Sequence, residues 1–258
     1  MPTSLTPSQH RDLVAQSGRR LIDHGAAAGL DARVPTCPAW DVRALLAHQA
    51  MVHLWSTAHL RGADPDAVPN QTALRDEADL VGVAEAALAG VVQAITEAPD
   101  DLKAMTFLND APPPAAFWAR RQAHETTIHM VDALGAALGR VPTTSEAMID
   151  AATAVDGIDE LLRGFFTRGR SKLFDGTPVV LVVAPDDTDV HWVVHVDERL
   201  TVEPPGSPAP DGAEVARLAG SSASLYLALW NRGGDVQLSG AGAALLDRWR
   251  STQTVRWS

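Results

Sequence analysis

The sequence predicts a two-part protein: an up-and-down helical bundle followed by a smaller α+β domain. Three observations carry this. Long Ala/Leu-rich segments with apolar residues at helical spacing fill the chain up to about residue 170. Short β-branched runs separated by turn signals follow, beginning with PVVLVVAP at 178–185. Proline- and glycine-rich stretches interrupt the helical half, so the helices follow one another in series, the pattern of a bundle. The expected division is 1–170 for the bundle and 171–258 for the α+β domain, with the boundary near Gly169–Gly176.

Five helices are expected in the first part. The first, about 7–27, carries the stripe Leu13, Val14, Leu21, Ile22 and stops at Gly25 to Gly29. The second is expected at about 39–60, because Pro35 and Pro38 block helix ahead of it, with Leu45, Leu46, Val52 and Trp55 inward. A third, about 72–96, spaces Leu80, Val83, Ala87, Val91 and Ile95 on one face. The fourth, about 115–138, follows a Pro-Pro-Pro run and closes at Gly139 and Pro142. The fifth, about 144–166, opens with Thr143 or Thr144 and has Glu146 placed for a capping box. In the second part, 178–185 and 190–198 read as a hairpin across Asp-Asp-Thr-Asp. Strands at 199–205 and 213–220, a Ser-capped helix in SASLYLALWNRGG, a short strand in DVQLSG and a helix in AGAALLDRWRS complete it.

Composition excludes several function classes. The chain has 258 residues, 32 acidic against 21 basic, and a formal net charge of −11. A surface this acidic, with no basic stripe, offers nothing to nucleic acid. No apolar stretch approaches the ~18 residues that mark a membrane span, and MPTSLTPSQHRDLVAQ has neither the basic nor the apolar region of a secretory signal. Cys37 is the single cysteine, so no intramolecular disulfide can form, which fits a cytoplasmic location.

The chemistry gathers on QAHETTIHMVDA (122–133) in the expected fourth helix. Glu125 and His129 are four apart and share a face about one turn from each other, a spacing that can set a carboxylate and an imidazole on one ion. His124 lies roughly 140° around the helix from His129, from about 3.6 residues per turn. HETTIH therefore differs from the His-Glu-x-x-His metalloprotease pattern by one residue, and its two histidines diverge. A third ligand has to come from a neighbouring helix, and the second helix offers His48, His53 and His59. His48, mid-helix among core-type residues, is the best placed of these for a bundle-core metal site. Two imidazoles and one carboxylate leave positions open for water or substrate, as catalytic sites do. A packed core histidine and a surface Glu–His pair at i, i+4 would give the same pattern.

Two segments then resemble a family. CPAWDVRALLAHQAMVH and ARRQAHETTIHMVDA, in that order, are similar to the second- and fourth-helix signatures of the maleylpyruvate isomerase family of mycothiol-dependent enzymes, which are DinB-like four-helix bundles. LYLALWNRGGDVQLSG followed by LLDRW is similar to that family's C-terminal domain, a sterol-carrier-like α+β fold. The resemblance runs from about residue 8 to 250. It implies a divalent ion, most often zinc, on His48, Glu125 and His129. It also implies mycothiol or a similar small thiol as cosubstrate, held as a metal-bound thiolate for isomerisation or S-conjugation of a small electrophile. The expected partners are thus small molecules, with no nucleic acid and no membrane, for a monomer or homodimer. The alternatives are a metal-dependent hydrolase or amidase of a thiol conjugate, and a non-catalytic small-ligand-binding protein.

Other residues have lesser expected roles. Arg232, in LWNRGG, matches an arginine of the family's C-terminal helix and is the catalytic candidate, as a cation for a substrate carboxylate; a solvated helix-end cation is the rival reading. Arg120 and Arg121 could meet an anionic ligand, with at least one expected to be exposed. Asp132 is expected behind the metal or in an ion pair. Cys37, placed at the start of the second helix, is expected to be structural, and Trp40, Trp55 and Trp118 are expected in the core or the pocket wall.

Overall fold

The computed structural model describes residues 5–212, 215–240 and 242–253. The expected fourth strand begins at 213 and the closing helix at 241, so those first positions lie outside the described residues, as do the first four of the N-terminal segment.

Local capping chemistry sets the helix boundaries. Helix α1 (Pro7–Ala28) opens with a capping box in which the Thr6 hydroxyl accepts from Gln9 N and the Gln9 side chain accepts from Thr6 N. Helix α2 (Val42–Arg61) begins later than residue 39, because Asp41 takes the N-cap and accepts from Ala44 N at 2.7 Å. Cys37 is therefore in the preceding turn and not at a helix N-terminus. The expected third helix is two: α3 (Gln71–Arg75) and α4 (Leu80–Glu97), each with its own cap, Asn70 and Asp79. Asp79, whose side chain satisfies a first-turn amide of α4, thus breaks one continuous apolar pattern. Helix α5 (Pro114–Leu138) ends at Gly139, whose φ of 67° is the left-handed C-cap that glycine takes without strain.

In the first compact unit, residues 5–106 and 112–142, α1 and α2 each pack against both α4 and α5, which closes a four-helix bundle. Leu80–Glu97 is long and apolar enough to cross a membrane by length and composition, with a mean hydropathy of 1.4, so the discounting of any such span from sequence was too strict. The helix turns Leu80, Ala84, Ala87, Leu88, Val91, Ala94 and Ile95 inward on helical spacing as a wall of this bundle. Helix α5 is the core helix, buried without a break from Phe117 to Ala136. Its buried residues include Arg120, Arg121, His124, Glu125, His129 and Asp132. Charge in such a place requires partners, which points to a built polar centre.

The second compact unit contains Phe107–Ala111 and the chain from Thr143 onward. The change of texture near residue 170 marks where strands begin, whereas packing divides the chain after Pro142. The segment expected as one fifth helix is α6 (Thr144–Ala147), α7 (Ala151–Asp159) and a π-helical turn, Glu160–Phe165. The Thr143–Glu146 capping box is present, but Met148 turns left-handed at φ 54° and Asp150 caps a fresh helix. Helix α7 packs on α8 (Ser222–Leu229). The sheet has the order β3-β2-β1-β4-β5, with β1 (Val179–Pro185), β2 (Trp192–Val196), β3 (Leu200–Val202), β4 (Ala216–Gly220) and β5 (Gln237–Ser239). The β1–β2 hairpin pairs Leu181 with Val194, and β1 lies parallel to β4, so the sheet is mixed. Helix α9 (Gly242–Thr252) closes the described chain, with Trp249 Nε1 donating to the Leu229 carbonyl at 2.8 Å. A helical bundle followed by a small α+β domain is thus the fold.

Gly234, at φ +97°, lies against the backbone of α8, and a Cβ there would collide with the Ser224 carbonyl and sit 3.0 Å from Ala228 N. Gly234→Ala is expected to cost about 3 kcal/mol, from backbone strain and overpacking together. Urea unfolding monitored on the sheet unit checks this; an unchanged midpoint would contradict it.

Candidate metal centre

Three side chains from two helices meet in the bundle. His48, on α2, points its Nε2 at Glu125 Oε1 at 3.2 Å. His129, one turn along α5 from Glu125, points its Nε2 at the same oxygen, also at 3.2 Å. One ligand atom from each lies within 4.8 Å of the others, and all three residues are buried. Helical geometry places Glu125 and His129 together, and the α2–α5 packing supplies His48. The other candidates are elsewhere. His53 Nε2 lies 2.8 Å from Gln49 Nε2 and 3.0 Å from Thr126 Oγ1, in a separate polar group between the same helices. His59 stacks on Trp118, with centroids 4.8 Å apart, and meets Trp55 edge-on. His124 turns away toward His10, at 6.2 Å between ring centroids.

Glu125 is held from both ends. Its Oε2 accepts from Arg121 Nη2 at 3.1 Å, one turn back on α5, which leaves Oε1 to the two imidazoles. Both Arg120 and Arg121 are buried, contrary to the expectation of an exposed one. The i, i+4 spacing of Arg121 and Glu125 carried that signal in the sequence. Asp132, fully buried, accepts from His129 Nδ1 at 2.8 Å. That bond puts the Nδ1 proton on the carboxylate side and turns Nε2 toward Glu125. The Asp132 carboxylate also accepts from Thr36 Oγ1 at 2.5 Å and from the Cys37 thiol at 3.5 Å. The half-buried Trp40 indole lies against His48 and His129, at centroid distances of 4.9 and 5.7 Å, and so forms a wall over both rings. Sequence reading had not found the Thr36 contact, and no local signal announces it.

The charge states follow from these contacts. Burial would push the Glu125 carboxyl up, but hydrogen bonds from His129 and His48 and the charges of His129 and Arg121 hold it well below the usual range. Burial lowers His48, and its bond to Glu125 only partly offsets this. Burial acts on His129 too, yet its bonds to Asp132 and Glu125 outweigh it and raise the imidazole to about 9. Burial dominates at His53 and the Glu125 charge offsets it only in part, so this imidazole falls to about 3 and is neutral.

Arg232 follows α8 in the other unit, half-buried. Its backbone N donates to the Leu227 carbonyl and its Nη1 to the Trp230 carbonyl, both at 2.8 Å. On the sheet, His195 pairs with Glu203 and His191 with the Ser207 carbonyl, each at 2.8 Å.

Two imidazoles and a carboxylate fit a divalent ion of zinc type, with coordination positions to spare. In the metal-free protein, a His129 imidazole raised from 6.5 to about 9 favours the charged folded state. Its contribution to stability is complete below about 6.5 and is lost as pH rises through about 9. The melting temperature of metal-free protein is therefore expected to fall more between these pH values for the wild type than for His129→Ala. Parallel curves would contradict it.

Comparison with known proteins places the chain in a family. Residues 11–134 match the family model described as the mycothiol maleylpyruvate isomerase N-terminal domain, and residues 152–247 match the C-terminal domain of the same family. No curated protein matches the chain by sequence. Among solved structures, the chain is similar to a crystal structure of a histidine-to-alanine mutant of the mycothiol-dependent maleylpyruvate isomerase. The TM-score is 0.62 and the identity 18%, over 93% of this chain and 96% of that one. With family models matched across both of its parts, the chain belongs to the mycothiol-dependent maleylpyruvate isomerase family.

Proposed function

We propose that this protein is a cytoplasmic, metal-dependent thiol enzyme. It holds a divalent ion, zinc by donor type, on His48, Glu125 and His129. It uses mycothiol or a similar small thiol to isomerise or S-conjugate a small electrophile. The observation that carries the reading is the convergence of three buried donor atoms from α2 and α5 within 4.8 Å. A zinc ion bound there would supply the Lewis acidity that keeps a small thiol as thiolate at neutral pH.

The protein's own groups suit that task. Glu125 is ionised and brings one negative charge to the ligand set, while His48 is neutral and has a lone pair to offer. Loss of the His129 Nε2 proton frees a third donor, and Asp132 holds the ring in place meanwhile. A divalent ion beside Arg121 would add positive charge to the site, which favours an anionic thiolate over the thiol. The Trp40 wall keeps water from one side of the ligand rings. Hydrolysis fits less well, because it calls for a free general base. The second carboxylate near the site, Asp132, has its oxygens engaged by His129, Thr36 and Cys37. Arg232 is proposed as the cation for a carboxylate of the electrophile, by bidentate pairing.

Protein purified without chelator is expected to carry about one divalent ion per chain, and His129→Ala to lose it, as removal of one of three ligands should. Cis–trans isomerisation of maleylpyruvate, assayed with and without mycothiol, is expected to need the thiol. Arg232→Gln is expected to raise KM for a carboxylate substrate at least ~10-fold, from the loss of a charge-assisted pair. No ion in the purified protein and none taken up from added zinc would overturn the proposal.

A further inference from the structure

The turn ahead of α2 is built as a closed unit. Cys37 N donates to the Val34 carbonyl at 3.0 Å, Trp40 N to the Cys37 carbonyl at 2.8 Å, and Val34 N to the Trp40 carbonyl at 3.2 Å. The Arg33 guanidinium also donates to the Pro38 carbonyl. Thr36, Cys37 and Trp40 are thus fixed relative to one another. This unit touches the candidate metal centre in two places. Trp40 covers the rings of His48 and His129, and Thr36 and Cys37 hold the two oxygens of Asp132.

A buried carboxylate with a single bond to an imidazole can rotate, and the imidazole with it. Asp132 is denied that freedom. Thr36 holds Oδ1, while Cys37 and His129 share Oδ2, so the oxygen facing His129 Nδ1 is set by the turn and not by α5 alone. We propose that Asp132 is a positioning residue for His129, and that the Thr36–Cys37 turn, far away in sequence, orients Asp132 and so governs how tightly His129 holds a metal ion. The proposal rests on the metal reading above. Neither Thr36 nor Cys37 touches a proposed ligand through these bonds; both act through Asp132. The turn therefore tunes the site without belonging to its ligand set.

The test is zinc affinity by chelator competition, with His129→Ala as the control for the metal reading itself. Asp132→Asn, which keeps the shape and loses the charge, is expected to weaken zinc binding about 10–100-fold, as loss of an outer carboxylate does. Thr36→Val is expected to weaken it by roughly 3–10-fold, at the low end of that range. Thr36→Ser, which keeps the hydroxyl, is expected to restore wild-type affinity. A merely structural role would lower the melting temperature of the metal-free variants and leave zinc affinity alone. Wild-type affinity in both Asp132→Asn and Thr36→Val, with binding lost in His129→Ala, would overturn the positioning role while the metal site stands. No zinc binding by the wild type would overturn both.

Discussion

Everything in the bundle core turns on one buried carboxylate. Glu125 has 3% of its side chain exposed, a place where an unpaired charge would cost several kcal/mol. It is accommodated because Arg121 takes one oxygen while His48 and His129 share the other. The shared oxygen ties α2 to α5 and brings two imidazoles close to each other. The same grouping is the ligand set proposed above, so the compensation that permits the charge also brings the three candidate donors together.

The rest of the bundle can be read as support for that point. Helix α5 is buried from Phe117 to Ala136 yet carries several ionisable side chains, an arrangement that apolar packing alone would never favour. Each such side chain near the centre has a partner. Arg121 is committed to Glu125 and Asp132 to His129, Thr36 and Cys37, and on α2 His53 lies against Gln49 and Thr126. Trp40 closes one side with an apolar face. Contributions from α2, α5 and the turn before α2 thus hold the centre from three segments of the chain.

How much was legible in the sequence depended on range. Features set within one or two turns were readable: the Thr143–Glu146 capping box, the Gly139 stop, and Glu125 and His129 on one face. Single cap residues were harder. Asp79 and Asp150 split segments whose apolar pattern is continuous, and Asp41 moved the start of α2, because one side-chain bond to a first-turn amide overrides periodicity. Arg121 was within reach through its spacing from Glu125, but an arginine amid polar residues reads as exposed. Contacts across the fold were the least legible. His48 and Glu125 are 77 residues apart, and Thr36 and Asp132 are 96 apart, and nothing local in either segment specifies its partner. Its mid-helix place among core-type residues favours His48 among three histidines, and the family resemblance implies the same residue. The packing of α2 on α5 is what gives that choice a physical basis.

The central claim is that His48, Glu125 and His129 form the ligand set of an ion that takes a small thiol. X-ray absorption at the metal edge of the zinc-loaded protein, with and without mycothiol, tests it most directly. Without thiol, two imidazoles and light oxygen scatterers are expected, and with thiol a single sulfur shell at about 2.3 Å should appear. A spectrum without imidazole scattering, or one that gains no sulfur when thiol is added, would contradict it.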